Sequence, residues 1–335
     1  MRRILLSLIL AVGLAPGIVW RNGPPPPDHS QSVQAIALPL PTGGDTRIGR
    51  QGGPVLTGAW QLVSPNSGFE SYSALLALDG GKTLLAISDR GQFARFAAPG
   101  ETVGRIDLKP VELGAVLPGS DAFKPLQDME AATRDPVSGR IWLGLEGRNA
   151  ILRLKPDLSD PEFAYPPAMQ GWASNSGPES LVRLADGRFL TLSEGGILRD
   201  GDFKEALLFD RDPLEGGDPL RFTLRPPSGF APTDAAQLPD GRVIILLRGF
   251  EMGLPPRFTT RLLLADPATI RAGEAWQWED IGGLGAAIPH ENYEGLAVSG
   301  GEDGGPVTLW LLSDDNGATF IQRTLLLRFT WKPWR

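Results

Sequence analysis

The 335-residue chain carries a formal net charge of −7, with Lys+Arg 32 set against Asp+Glu 39. Its Gly 42 and Pro 31 come close to double the usual combined share of about 12%, which demands many tight turns and favours short strands over long helices. With Cys 0 and only His29 and His290, disulfides, thiolate zinc sites, iron–sulfur clusters and His-rich metal centres are excluded, and the acidic balance disfavours a nucleic-acid partner.

Met1-Arg2-Arg3 followed by the apolar stretch Ile4–Trp20 reads as the basic and hydrophobic regions of an export signal. The stretch is slightly long for a signal and slightly short for a spanning helix. Residues 1–21 are therefore expected to be a cleaved signal peptide or, if uncleaved, an inner-membrane anchor. Residues 22–56 follow as a Pro/Gly-rich linker stiffened by Pro24–Pro27. The protein is expected to be periplasmic or secreted, and monomeric, touching a membrane only through that N-terminal segment.

Over 57–335 one unit recurs: a short apolar strand, a turn, and a second, more hydrophobic strand ending in charge. The pairs are Ser73–Leu78 with Leu84–Asp89, Glu130–Thr133 with Ile141–Glu146, and Glu179–Leu184 with Phe189–Glu194. Asp234–Leu238 with Val243–Arg248 and Glu294–Val298 with Leu309–Asp314 complete the set. Turns at Asp79-Gly80, Ser138-Gly139, Asp186-Gly187 and Asp240-Gly241 carry residues that tolerate positive φ. Copy starts lie 49 to 60 residues apart, and further strand-like runs follow each pair, as in Ala150–Leu154 and Arg261–Ala265. Four strands at that period make a propeller blade. The expected fold is all-β, a propeller of five recognisable four-stranded blades, with a degenerate sixth unit as the alternative. Gly58–Val63 has no unit of its own and is expected to complete the last blade, removing an edge. Trp142 and Trp310, mid-strand in equivalent copies, are expected in the inter-blade core.

If the first strand lines the channel and the second runs back beside it, strand-one starts and strand-two ends meet on one face. The starts carry Glu130, Glu179, Asp234 and Glu294; the ends carry Asp89, Glu146, Glu194, Arg248 and Asp314. Carboxylates about 7 Å apart at an effective dielectric of about 20 repel by roughly 2 kcal/mol per pair. Raised pKa values, neighbouring arginines or a bound cation must offset this. Oxygen ligands without Cys point to a hard divalent cation, Ca²⁺ before others, with Glu130, Glu179, Asp234, Glu294, Asp89 and Asp314 as its candidate ligands. The alternative reading takes these acids as solvated strand ends paired with arginines.

At these positions the chain resembles the bacterial phytase-like domain family, described as having esterase-like activity of phytase. The resemblance rests on Asn292-Tyr-Glu-Gly-Leu-Ala-Val298, Leu312-Ser-Asp-Asp-Asn316, Gln322–Phe329 and Ile87-Ser-Asp-Arg-Gly91, and spans about 57–330. It implies an exported propeller hydrolysing phosphate or carboxylate esters. The chain departs from the family at Glu130-Ala-Ala, where Glu-Gly is usual, and at Arg248, where an acid is frequent.

Two classes of function follow. The first is a metal-assisted hydrolase of a small anionic ester, needing no protein nucleophile. Glu179, Asp234 and Glu294 would serve its chemistry, with His290, a lone loop imidazole beside Glu291, as a candidate base. Arg90, Arg148, Arg248 and Arg323 would bind the substrate's anionic groups by their planar forks. The second class is a non-catalytic propeller binding a ligand or partner at the same rim. A calcium-dependent lactonase-like hydrolase is a weaker third reading.

Overall fold

The computed structural model describes residues 27–41, 46–49, 51–100, 102–118, 128–173, 176–195, 203–252, 257–319 and 321–333. The expected signal or anchor, 1–21, lies outside the described residues. Two strands, β1 (Gln34–Ala37) and β2 (Val55–Val63), precede the first blade. Blade 1 comprises β3 (Tyr72–Leu78), β4 (Thr83–Ser88), β5 (Gln92–Ala97) and β7 (Val111–Ala115), with a short β6 (Arg105–Asp107) between the last two. Blade 2 comprises β8 (Met129–Arg134), β9 (Ile141–Leu145), β10 (Ala150–Leu154) and β11 (Glu162–Ala164). Blade 3 follows with β12 (Pro178–Arg183), β13 (Phe189–Ser193), β14 (Lys204–Phe209) and β15 (Leu220–Leu224). Blade 4 holds β16 (Phe230–Gln237), β17 (Val243–Glu251), β18 (Arg257–Ala265) and β20 (Trp278–Gly283), with β19 (Ala275–Trp276) ahead of its last strand. Blade 5 begins with β21 (Asn292–Gly300), β22 (Val307–Asp314) and β23 (Leu325–Trp331). Five separate sheets therefore stand among the described residues, and the chain is a five-bladed propeller.

The fourth strand of blade 5 comes from the other end of the sequence. β2 pairs antiparallel with β23, aligning Ala59 with Leu327 and Gln61 with Leu325, so Gly58–Val63 closes the ring as its pattern suggested. Blade 5 then grows further outward, with β1 pairing on β2 and β6 of the blade 1 segment pairing on β1. Residues 34–37 thus form a strand inside the stretch expected to be linker. The physical reason is that β2 would otherwise present an open edge. A second clasp crosses blades where β19 pairs parallel with β15.

The second strands are largely buried apolar runs, as in Leu84–Ile87, Ile141–Leu145 and Val243–Leu247, with a buried Thr191 in that of blade 3. A strand sandwiched between two others within its sheet, and between neighbouring blades on both faces, has no polar side to show. The first strands carry small residues instead, Ala74, Ala131, Ala235 and Gly295 among them. Five of them crowd one axis. A Cβ on Gly295 would lie 3.0 Å from that of Leu75 in the adjoining blade. The hairpins between first and second strands are set by Asp-Gly-Arg in blades 3 and 4. There Gly187 and Gly241 hold φ of +91° and +92°, and the Asp186 and Asp240 carboxylates accept from the Arg188 and Arg242 backbone amides at 3.1 Å.

Between blades the contacts are aromatic. Trp142 meets Phe189 edge-on at 5.0 Å, and its indole donates to Asp212 Oδ2 at 3.1 Å. Within blade 5, Trp310 lies 6.1 Å from Trp60 of the closing strand, with the Arg328 guanidinium over both rings at 5.8 and 5.1 Å, and both indoles join a core shared with Leu75 and Leu84 of blade 1. Both tryptophans expected in the inter-blade core are buried there. Trp60 is fully buried and belongs to the strand that closes the ring. Replacing it with Ala is expected to cost about 3–5 kcal/mol, as measured by the chemical-denaturation midpoint at unchanged m-value.

Candidate active site

The ladder between first and second strands skips one residue in every blade, always near the same end. The skipped residues are Ser73, Glu130, Glu179, Thr233 and Glu294. A bulge leaves one residue unpaired and re-aims its side chain. Repeated five times around an axis, it delivers five side chains to one channel mouth. Opposite each bulge, just past the last residue paired with the bulge's own neighbour, the second strand supplies Asp89, Glu146, Glu194, Arg248 and Asp314. The second ring agrees with the sequence reading at every position.

The first ring differs at one place, because Thr233 occupies the bulge and Asp234 does not. Asp234 pairs with Leu246, one residue further along, and its carboxylate turns to the opposite face of the strand. There it accepts from the amides of Ala235 and Leu296, both at 2.7 Å, tying blade 4 to blade 5. Burial pushes its pKa well up, and no ring acid contributes to that shift. The expected trio of Glu179, Asp234 and Glu294 is therefore reduced to two glutamates flanking a threonine. The readable signal was spacing: Thr233 to Arg248 is 15 residues, matching Glu179 to Glu194, whereas Asp234 to Arg248 is 14.

Two further mouth residues, Asp128 and Asn292, lie two positions ahead of the bulged Glu130 and Glu294. Blade 2 consequently holds three acids, Asp128, Glu130 and Glu146, with one ligand oxygen from each lying within 4.8 Å of the others. Glu146, Glu179 and Glu194 meet the same criterion, so Glu146 belongs to both groups. The chemistry of this donor set, all carboxylate oxygen, fits a hard divalent cation.

Across the mouth the charge is compensated differently. Arg248 Nη2 donates to Glu194 Oε1 at 2.5 Å, and Nη1 pairs with Glu294 Oε1 and reaches Asn292 Oδ1 at 3.3 Å. Asn292 Nδ2 donates to Glu294 Oε1 at 2.9 Å and to Asp314 Oδ2 at 3.3 Å. Arg248 thus serves as a bridge between blades 3 and 5, with its fork occupied by protein carboxylates.

Burial raises the pKa of Glu130 well above its ordinary value, with Glu294 and Asp89 adding repulsion. Glu179 is raised for the same reason, with Glu130 and Glu194 next in effect. Asp89 is pushed up to about 6 by burial, with Arg90 opposing, and Asp314 to about 8 by burial and then by Glu294. Glu294 is raised by burial while Arg248 pulls the other way.

The remaining candidates stand outside the rings. Arg90 is exposed and pairs with Glu70 at 2.5 Å. Arg148 ends the turn Glu146–Arg148 that follows β9. Arg323 donates from Nε to Glu291 at 2.8 Å. Asp315, the nearer acid in sequence to Arg323, instead accepts from the Ser71 and Gly317 amides and the Thr324 hydroxyl. His290 is half-buried with its pKa lowered by burial, and the charges acting on it are Arg257 and Glu251 rather than the ring acids.

Two predictions follow from these placements. A carboxyl with a raised folded-state pKa binds its proton more tightly when folded, so its stabilising effect is full below the unfolded value and is lost as pH rises through the folded value. With chelator present, the melting temperature should therefore fall between about pH 5 and 9, where Asp89 and Asp314 ionise. Excess Ca²⁺ should flatten the decline by stabilising the ionised mouth. Melting curves on a pH series with and without Ca²⁺ check this. In contrast, Asp234→Asn should lower stability by about 1–3 kcal/mol equally with and without Ca²⁺, because it sets an amide NH₂ against a backbone N–H.

Comparison with known proteins places these features in context. Among solved structures, the chain resembles a luciferin-regenerating enzyme at TM-score 0.44 and 13% identity, covering 81% of this chain and 84% of that one. It also resembles the GH74 enzyme of Niastella koreensis, at TM-score 0.43 and 11% identity, with 78% and 44% covered. The β-propeller domain of Cps50 (Swd1) from Myceliophteria thermophila follows at 0.37 and 9%, with 89% and 99% covered. No curated protein sequence matches the chain. The sequence profile described as "Phytase-like: Esterase-like activity of phytase" matches residues 67–317, a span that begins just ahead of blade 1 and takes in every residue of both rings. The chain belongs to this phytase-like family.

Proposed function

We propose that the chain is a cation-dependent hydrolase of small phosphate or carboxylate esters, acting at the acidic mouth. The observation that carries this reading is the sharing of Glu146 between two three-acid groups, Asp128 with Glu130 and Glu179 with Glu194. Asp128, Glu130, Glu146, Glu179 and Glu194 would hold the cation, with Ca²⁺ the first expectation for an all-oxygen donor set. When bound, such an ion supplies Lewis-acid polarisation of an ester oxygen and lowers the pKa of water.

The chain's own residues do the rest. Raised carboxyl pKa values favour the protonated mouth, so a cation bound there would displace protons and meet less uncompensated charge. Arg323 engages Glu291 through Nε and is 43% exposed on its side chain, which turns the outer edge of its fork to solvent for a substrate anion. Arg90 is more than half exposed and lies against Gly317, in the loop that leads to Arg323. The N-terminal segment, read as an export signal, would set this activity in the periplasm or outside the cell.

The Arg248 bridge supports a second reading, in which the rim is an ion-paired ligand-binding surface without turnover. Hydrolysis of p-nitrophenyl phosphate and p-nitrophenyl acetate, assayed with EDTA and then with Ca²⁺, separates the two. The hydrolase reading expects Ca²⁺-dependent turnover of at least one substrate and a loss of about 10²-fold or more in Glu146→Gln. Turnover of neither, with a Ca²⁺-dependent melting temperature retained, would leave only the binding reading.

A further inference from the structure

The inner strands that open at the acidic mouth run roughly 20 Å to the other end of the channel. There the last residues of β3, β8, β12, β16 and β21 enclose a cavity of about 530 Å³, well within the range of small-molecule sites. Its walls are mixed, and each blade contributes an apolar residue, Leu76, Ala132, Val182, Leu238 and Val298. Two guanidiniums enter from adjacent blades. Arg134 and Arg183 sit at the same repeat position, four residues beyond the bulged Glu130 and Glu179.

Neither guanidinium is saturated. Arg134 is half-buried and makes no ion pair or side-chain hydrogen bond with any described residue; the nearest acids acting on it, Asp79 and Asp135, do so at longer range. Arg183 makes two long contacts, to Asp135 Oδ1 at 3.4 Å and to its neighbour's carbonyl on Leu184 at 3.5 Å. Its backbone is held firmly, the amide donating to Thr133 Oγ1 at 2.9 Å across the blade boundary. The equivalent residue of blade 4, Gln237, is occupied by the Ala185 amide and the Gly241 carbonyl. The one acid among the lining residues, Glu302, comes from blade 5. Partly buried guanidiniums from neighbouring blades, beside the apolar side chains of the same cavity, match an anionic head joined to an apolar body.

We propose that this far-end cavity is a second ligand site, taking a small organic carboxylate with its head on Arg134 and Arg183 and its apolar part within the channel. The site is independent of the acidic mouth and of any hydrolysis there. Calorimetric titration of the full chain with octanoate tests it, with octylamine as a probe of equal body and opposite charge. Octanoate should bind and octylamine should not. Arg134→Gln should weaken octanoate by about tenfold or more, with Arg134→Lys intermediate because the fork but not the charge is lost. Glu179→Gln, at the opposite mouth, should leave octanoate binding unchanged. Absence of octanoate binding, equal binding of octylamine, or full binding by Arg134→Gln would overturn the proposal. If Arg134→Gln fails to fold, Arg183→Gln carries the same expectation, and the two probes on the native chain still decide.

Discussion

Like charges held close together at one end of a narrow channel are the constraint on which the rest of the mouth depends. Carboxylate oxygens gathered within 4.8 Å, if ionised, repel by roughly 3 kcal/mol per pair at an effective dielectric of 20. The propeller cannot easily relieve this by spreading, because its inner strands are held by close contact between adjoining blades, as at Gly295 beside Leu75. It responds in two ways on two sides. In blades 3 to 5 a single guanidinium is clamped between Glu194 and Glu294. Around Glu146 the acids hold protons more tightly instead, burial and mutual repulsion raising Glu130 and Glu179 well above the ordinary carboxylate range. The first solution is permanent; the second can be replaced by a cation.

The same five-fold repetition makes the exceptions informative. Thr233, where three other blades carry glutamate, and Arg248, where the other four carry an acid, fall in one blade and are opposed across its bulge. Together they convert one fifth of the mouth from cation-holding to ion-paired. Asp234, displaced from the ring by one residue, is reassigned to holding two backbone amides. A single-residue step in a strand exchanges the two faces, which is why neighbouring side chains of similar length end in unrelated environments.

Much of the architecture was legible because it is written locally. Buried apolar runs, Asp-Gly turns and the spacing of charged strand ends each depend on a few adjacent residues, and they located the second ring at Asp89, Glu146, Glu194, Arg248 and Asp314. The closing strand was readable by elimination, since Gly58–Val63 had no partner in its own unit. What was not legible depends on pairing between distant segments. The bulge that selects Thr233 over Asp234 is a property of two strands in register, and a tally of acids at strand starts passes over it. β1, β6 and β19 contribute two to four residues each, and each lies on a neighbouring segment's edge rather than in a pattern of its own. Asp128 and Asn292 gain meaning only once the bulge two residues later is known.

Ring closure by β2 also fixes an order of events in time. The hydroxyl of Thr57 donates to the carbonyl of Arg328, 271 residues away, so the first substantial strand to be synthesised waits for almost the last. Until β23 is available, β2 has only short β1 beside it, and blade 5 does not exist. Blades 1 to 4 can assemble from near neighbours, yet the axis they share stays open on one side and Arg248 lacks Glu294, its partner in blade 5. Contacts of such sequence separation form slowly because loop closure precedes any compensating burial. The Arg248–Glu294 half of the mouth therefore forms only once blade 5 is in place, whereas the acids of blades 2 and 3 meet without it.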